Sequence, residues 1–497
     1  MANKDLSNLF NDFDDLYTSK SNINNVNIPD NQLLLPSGKI ITFNAEQYDG
    51  IKKIRKWLKS DKTFLTLIGP AGCGKSTIIK KILDEYRGGV VVSAPTHRAK
   101  KVIINTTGEE GKTLASLLGL RPDVLLENFD PNRPQFAPIA TPQLCDYNWV
   151  IIDEASQIND PLYLLIKEKA KECRVKILFM GDIFQIPPVG QKQSMVFSDP
   201  DIEIVELTII ERQQDSNPLL SLYDIIRNNI ETQGGGYLRK NSVNENGEGV
   251  VFTVDKKEFR EKMLETYRSE DFQKDINHVK TIAWKNDTVM ASNKIIRTAL
   301  FGKDTDIVEE NDLLTGYRTV SNAKLTYNIV ENSADYRIVK KSSLEENGYG
   351  IKGFQIKIKE ELGRGLFKFD DVFIVDSGDY ENLHTYGQMH DFFRDMAKSN
   401  HKMWPKYYEF RRNNLLLCDI DKHQNGLLRN DNEIIKKDLD YGYACTAHKI
   451  QGGTLNTCFV LESDIRLNWN QQEQNQIFYV AVSRPTKIAY VLTTKLD

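Results

Sequence analysis

The sequence predicts an α/β protein with two parallel-sheet units, each carrying inserted material. Three observations lead there. From Ile40 onward, short apolar runs alternate with helical patterns, the mark of a parallel sheet covered by helices. Two sets of such runs occur: 64–69, 90–94, 149–153 and 176–181, then 279–283, 458–461 and 489–492, with helices from Asn286 and near Asn475. A length of 497 residues exceeds one core and suggests three or four domains.

Residues 1–38 are rich in Asn, Asp and Ser and read as a mobile extension. Within it Leu9, Phe10, Phe13, Leu16 and Tyr17 alternate with acids. That pattern suits either a docking segment or a frayed terminus, and the frayed terminus is preferred. A first insert spans 120–147, where Pro122, Pro131, Pro134, Pro138 and Pro142 forbid a long helix. A second, 312–438, breaks the α/β rhythm with β-like runs at 353–359 and 367–375 and then a helical stretch. In that stretch Arg394, Lys398, Lys402, Lys406, Arg411 and Arg412 interleave with Trp404, Tyr407, Tyr408 and Phe410. Such interleaving fits a nucleic-acid patch, but helices that pack aromatics inward and solvate their charges are the better reading.

Composition narrows the class. A formal net charge of -4, from 65 basic and 69 acidic side chains, excludes a generally basic nucleic-acid coat while leaving room for a narrow basic channel. Cys73, Cys145, Cys173, Cys418, Cys445 and Cys458 are scattered without metal-ligand spacing, which predicts reduced thiols and no structural zinc. No apolar run approaches the roughly 20 residues that span a bilayer, and the acidic start lacks a signal-peptide core. The expectation is a soluble cytoplasmic protein, in the host cytoplasm if phage-encoded, with no membrane partner.

Gly69, Pro70, Ala71, Gly72, Cys73, Gly74, Lys75 and Ser76 match G-x-x-x-x-G-K-[ST] after an apolar strand and before a helix that continues through Thr77. Glycines let backbone N–H groups curl round phosphate oxygens, and the helix N-terminus adds positive potential. Lys75 then neutralises the β- and γ-phosphates, and the Ser76 hydroxyl serves Mg²⁺. Asp153 and Glu154 end a buried strand: Asp153 suits Mg²⁺ binding through water, Glu154 suits orienting or deprotonating the attacking water. Acids after a strand are often mere loop charges, but beside a phosphate loop they imply an ATPase using ATP and Mg²⁺.

Three further strings follow in order: Ala94, Pro95, Thr96, His97, Arg98, Ala99 and Lys100; then Gly181, Asp182, Gln185, Pro187, Pro188, Val189 and Gly190; then Tyr479 to Arg484. With the phosphate loop they resemble superfamily 1 helicases of the 5′-to-3′ branch, the RecD-like group, and most nearly its Dda-like phage members, over 40–490. The resemblance implies two RecA-like motor domains, 1A (39–119 and 148–208) and 2A (209–311 and 439–497). It implies a β-hairpin pin, 1B, at 120–147 and an SH3-like β-barrel with a helical extension, 2B, at 312–438. It implies a monomer that unwinds forked duplex 5′-to-3′ along single-stranded DNA, with a single-strand-binding or replisome protein as a further partner. An RNA helicase of the same superfamily and a nucleotide-gated clamp without unwinding are the alternatives.

Carried over residue by residue, Gln47 after Phe43 and Asn44 reads adenine, whose donor and acceptor match an amide. Gln185 senses the γ-phosphate. Arg212 and Arg484 are the arginines that the second motor domain extends over it. Strand contacts fall to Thr96, His97, Thr113 and Ser116 in the first domain and to Trp284, Asn286, Thr446, His448, Lys449 and Gln451 in the second. Trp284 stands where the phage relatives have Phe, and packing against its own strand is preferred to base stacking. Phe129 and Phe136 are the candidates for the pin's contact with the last base pair.

Overall fold

The computed structural model describes residues 29–497 apart from 36–37, 87, 110, 121–125, 127–128, 133–135, 137, 139, 211–216, 325–326, 364 and 422–433. The frayed or docking reading of the N-terminus therefore falls largely outside the described residues, as does Arg212.

The first sheet has six parallel strands: β1 (Phe64–Ile68), β2 (Val90–Ala94), β3 (Gly111–Thr113), β4 (Trp149–Ile152), β5 (Lys176–Gly181) and β6 (Glu203–Glu206), in the order β3-β2-β4-β5-β1-β6. Its central strands are buried almost throughout and read as nearly continuous apolar runs, interrupted by Thr66 and Ser93, because helices cover both faces. Leu65, Leu67, Val92, Ile151 and Met180 enter one core, and Phe64, Ile68, Val91, Val150 and Phe179 enter the other, as the two-residue period of a strand requires.

The second sheet contains β7 (Ser242–Val243), β8 (Gly249–Thr253), β9 (Val279–Ala283), β10 (Ala444–Thr446), β11 (Leu455–Leu461) and β12 (Pro485–Leu492), ordered β10-β9-β11-β12-β8-β7. All its pairings are parallel except that of β7 with β8. The apolar runs at 458–461 and 489–492 capture only the C-terminal parts of β11 and β12, because polar residues such as Asn456 and Lys487 mask their starts.

Between β9 and β10 lies an antiparallel sheet of Leu313–Gly316, Asp335–Lys341, Glu345–Glu346, Lys352–Gly363, Leu366–Val375 and Leu439–Tyr441, the last strand falling just past the expected limit of 438. It has its own core, with Leu314, Tyr336, Ile338, Phe354 and Val372. Helices Tyr380–Ser399 and Trp404–Arg412 pack on its flank through Tyr386 and Phe410. Phe410 is fully buried and Arg411 pairs with Asp438 at 2.9 Å, so this part of the aromatic stretch is structural.

Among the described residues of 120–147 there is no strand, and Gln143–Asp146 forms a helical turn. Phe129 and Phe136 are 4% and 3% exposed, their rings edge to face at 5.1 Å, in the core cluster that holds Ile158 and Leu162. The Asn159 amide, besides capping helix Asp160–Cys173, donates to the Phe129 carbonyl at 3.0 Å. Neither ring is placed to meet a base pair: both seal one face of the first sheet. Cys145 is bonded to Cys173 where the insert returns to the end of that helix, which corrects the all-reduced expectation for this pair. Among the described residues no helix is long and apolar enough to cross a membrane.

Candidate functional site

All three nucleotide motifs of the first domain emerge from the C-terminal ends of adjacent strands, where open α/β sheets bind ligands. After β1 the chain turns through Gly69 to Gly74, and helix Lys75–Glu85 begins. Gly74 has φ 90°, a left-handed conformation, and a Cβ there would meet Gln47 Nε2 at 2.5 Å, so only glycine fits. Gly69 N–H donates to Gly181 O at 3.1 Å, which ties the phosphate loop to the end of β5.

Gln47 is held at both ends of its amide. Its Oε1 accepts from Asn44 N–H at 3.1 Å in a capping box, and its Nε2 donates to Cys73 O at 3.0 Å. It thus lies against the phosphate loop and borders the same cavity. That cavity, of about 500 Å³, is lined by Gln47, Lys75, Ser76, Thr77, Asp153, Glu154, Gln185 and Arg484. Lys75 Nζ donates to the carbonyls of Gly69 and Pro70 at 2.6 and 2.9 Å. Burial alone would push the Lys75 ammonium down, but Cys73, Asp182, Asp153 and Glu154 hold it above the usual lysine range.

Asp153 and Glu154 follow β4. Asp153 accepts Glu154 N–H at 2.8 Å, and burial pushes its carboxyl up against the pull of that N–H and Lys75. Glu154 sits in left-handed backbone at φ 54°, uncommon outside glycine, which turns its side chain out of the strand's direction. Burial and then Asp153 push its carboxyl up to about 7, against Arg484 and Lys75. Its Oε2 is buried with no hydrogen-bond partner among the described residues. An acid with a raised affinity for protons and an uncommitted oxygen is equipped to take a proton near neutral pH.

The second domain closes this cavity. Arg484, 3% exposed, follows helix Gln471–Val482 and is braced by Val480 O at 3.1 Å and Ser483 Oγ at 2.8 Å, with Gly453 O at 3.4 Å. Gly452, Gly453 and Thr454 border the cavity beside it. The loop after β5 bridges the domains: Ile186 belongs to the core of the second domain, and Asp182 accepts from Tyr479 Oη at 2.8 Å. Asp182, Tyr479 and Thr454 join the residues to which the sequence points, the first two from within the strings that carry the resemblance. Arg212 is outside the described residues, but the chain leading to it is held by Glu46, which accepts Thr208 N–H at 2.7 Å.

The expected strand contacts gather at one edge of each sheet. Thr96 follows β2 and Thr113 ends β3; Trp284 and Asn286 follow β9 and Thr446 ends β10. Thr96 and Thr113 cap helices, accepting Ala99 N–H at 3.4 Å and Ser116 N–H at 3.2 Å, which leaves each hydroxyl proton for an acceptor. Ser116 Oγ donates to Gln143 Oε1 at 3.1 Å. The His97 side chain is outside the described residues. Asn286 and His448 are exposed. Trp284 is half-buried against the core of the second domain, in keeping with packing, and its loop is held by Asp464, which accepts the N–H groups of Trp284 and Lys285 at 2.8 and 2.9 Å. Lys449 Nζ reaches Asn332 of the antiparallel insert at 3.3 Å. Gln451 departs from the track: it is 5% exposed and donates to Ile186 O at 3.3 Å and Gln185 Oε1 at 3.5 Å. Its place is at the seam beside Gln185, because the turn after Ile450 directs it inward.

A protein-family model described as an AAA domain matches residues 42–246. The uncharacterized protein R530 of Acanthamoeba polyphaga mimivirus is 23% identical over 502 residues, 90% of this chain and 98% of R530. The ATP-dependent DNA helicase Dda of Enterobacteria phage T4 is 27% identical over 272 residues, 53% of this chain and 58% of Dda. A structure describing DNA unwinding at forked double-stranded DNA by two coordinating Pif1 helicases aligns with a TM-score of 0.50 at 18% identity, covering 92% of this chain and 93% of that one. That likeness identifies the parallel-sheet core as RecA-like.

Proposed function

We infer an ATP-dependent DNA helicase from the premise that the chain belongs to the superfamily 1 helicases of the 5′-to-3′ branch and is Dda-like. The observation that carries the mechanism is a single cavity lined by the phosphate loop of one RecA-like domain and by Arg484 of the other. ATP bound there is hydrolysed to ADP and phosphate. Glu154 takes the proton of the attacking water, while Lys75 and Arg484 face the charge that develops on the phosphoryl oxygens. Ser76 and Asp153 both border the cavity and offer oxygen donors, the set that Mg²⁺ takes. Bound Mg²⁺ would neutralise phosphate charge.

Because nucleotide contacts span two domains, loss of the γ-phosphate removes a reason for them to stay together. Gln185 and Gln451 carry that change across the seam toward Lys449, His448 and Thr446. The edge loops then grip a single strand alternately, through short polar groups whose phosphate contacts are easily made and released. Forked duplex is the substrate in this reading, with movement 5′-to-3′. We read the antiparallel insert as an SH3-type barrel beside the track. A pin formed by 120–147 would act through residues other than Phe129 and Phe136.

The test pairs oligo-dT- and oligo-U-stimulated ATP turnover with strand displacement on 5′- and 3′-tailed duplexes. Stimulation by oligo-dT and displacement from the 5′-tailed fork are expected. Turnover unmoved by any oligonucleotide would refute the motor, and preference for oligo-U would point to RNA.

A further inference from the structure

We propose that Arg98 is a positioning residue that ties the first motor domain to the antiparallel insert, so that closure over the nucleotide also sets where the insert stands on the DNA. The proposal rests on the helicase reading and adds a residue outside both the nucleotide cavity and the strand track.

Arg98 lies in the first turn of helix His97–Thr107, and its guanidinium leaves the first domain altogether. Nε and Nη2 donate to the Ser333 carbonyl at 3.1 and 3.0 Å, and Nη2 also donates to Asp335 Oδ2 at 3.0 Å. Ser333 is 3% exposed and has φ 66°, so a left-handed backbone presents that carbonyl. The other oxygen of Asp335 pairs with Lys280 Nζ at 2.9 Å and receives the Thr315 hydroxyl. Lys280 is fully buried on β9 of the second motor sheet. One carboxylate of the insert is therefore shared by a cation from each motor domain. Burial pushes the Asp335 carboxyl up, but Lys280 and Arg98 together hold it below the ordinary range.

The opposite side of Arg98 touches the nucleotide cavity wall. A Cβ at Gly453 would stand 3.2 Å from Arg98 Cδ, and one at Gly452 would stand 2.9 Å from Ala99 Cβ, so the domains meet here backbone against side chain. Gly453 O is also the acceptor for Arg484 Nη1 at 3.4 Å. Contact thus runs from Arg484 through Gly453 and Arg98 to Asp335 and the insert. Beside this bridge the seam opens into a cavity of about 340 Å³ bordered by Lys101, Asn105, Glu331 and Glu360. The same helix adds a longer ion pair, Lys100 to Glu331 at 3.7 Å, so the joint is held along one side of the opening and Arg98 makes its shorter bonds. Contact becomes coupling only if both ends bias one motion, and that is measurable.

The full chain carrying Arg98→Ala is suited to the test because Lys280 keeps its partner, and Arg98→Lys provides the conservative variant. Hydrogen exchange of residues 328–338, without nucleotide or DNA, reads the tie itself and should accelerate in Arg98→Ala. Oligo-dT-stimulated turnover should stay within about twofold of wild type, while base pairs separated per ATP fall about tenfold, inside the range of coupling between sites. Arg98→Lys should restore part of that ratio. Unchanged exchange would show that Arg98 does not hold the insert and would overturn the proposal. Turnover and unwinding falling in equal proportion would show that Arg98 supports hydrolysis only. If wild-type turnover ignored oligonucleotides, the helicase reading would fail while the exchange measurement still judged the tie.

Discussion

The first motor sheet gives the cavity a loop and a ring of side chains: Ala71, Gly72 and Gly74 border it, helix Lys75–Glu85 starts at it, and Lys75, Ser76, Asp153 and Glu154 line it. In the second sheet, whose parallel strands follow the same pattern of crossovers, the decisive contribution is the side chain of Arg484. Binding and triggering are thereby divided between two bodies. In the proposed reading the phosphate loop and Lys75 hold phosphate in whatever state the partner domain occupies, whereas a side chain from across a seam acts only when the seam closes. That division is what allows hydrolysis to become movement.

The comparison is broken most severely by separating the two halves. Arg484→Ala should lower ATP turnover by about 10³–10⁵, the range for removal of an arginine finger, while fluorescent-nucleotide binding survives. Lys75→Ala should lose binding and turnover together. Equal loss of binding in both variants would mean that the second domain holds the nucleotide instead of triggering its hydrolysis.

A smaller effect separates the motor from its first insert. Phe136→Ala should cost about 3–5 kcal/mol of stability in a denaturant melt, the range for a buried aromatic truncated to Ala. Unwinding per folded molecule should not change. Unaltered stability with slowed strand separation would return this residue to a pin.

A graded effect, read along pH, concerns Glu154 as the proposed base. Glu154 must be ionised to accept a proton, and its carboxyl is pushed up to about 7, so the ionised fraction grows as pH rises through that value. The kcat/KM for ATP should therefore fall about tenfold per pH unit below it, as a single essential base requires. A flat profile from pH 5.5 to 8 would assign proton transfer elsewhere, and Glu154→Gln should abolish turnover at every pH.

The nucleotide half of the cavity was legible because its chemistry is local. Gly74, Lys75 and Ser76 are consecutive, and Asp153 and Glu154 end a run whose apolar character marks it as a buried strand. Gln451 and Phe136 were misread for the same reason. Each sits in a stretch whose composition suits an exposed functional loop, and nothing nearby in sequence reveals that Ile186 or the Ile158 and Leu162 core lies across from it. Cys145 and Cys173 likewise give no sign of pairing at a separation of 28 residues.

By itself the sequence determined the two sheets, the phosphate loop and the acids at its side, since strand burial and helix start are decided within a few neighbouring residues. Tertiary structure alone decided which side chains meet across the seams. Arg98 finds Asp335 at 237 positions' remove, and Tyr479 finds Asp182 at 297. A hydrogen bond depends on ångströms and angles, and at such distances along the chain those are set by how whole domains pack.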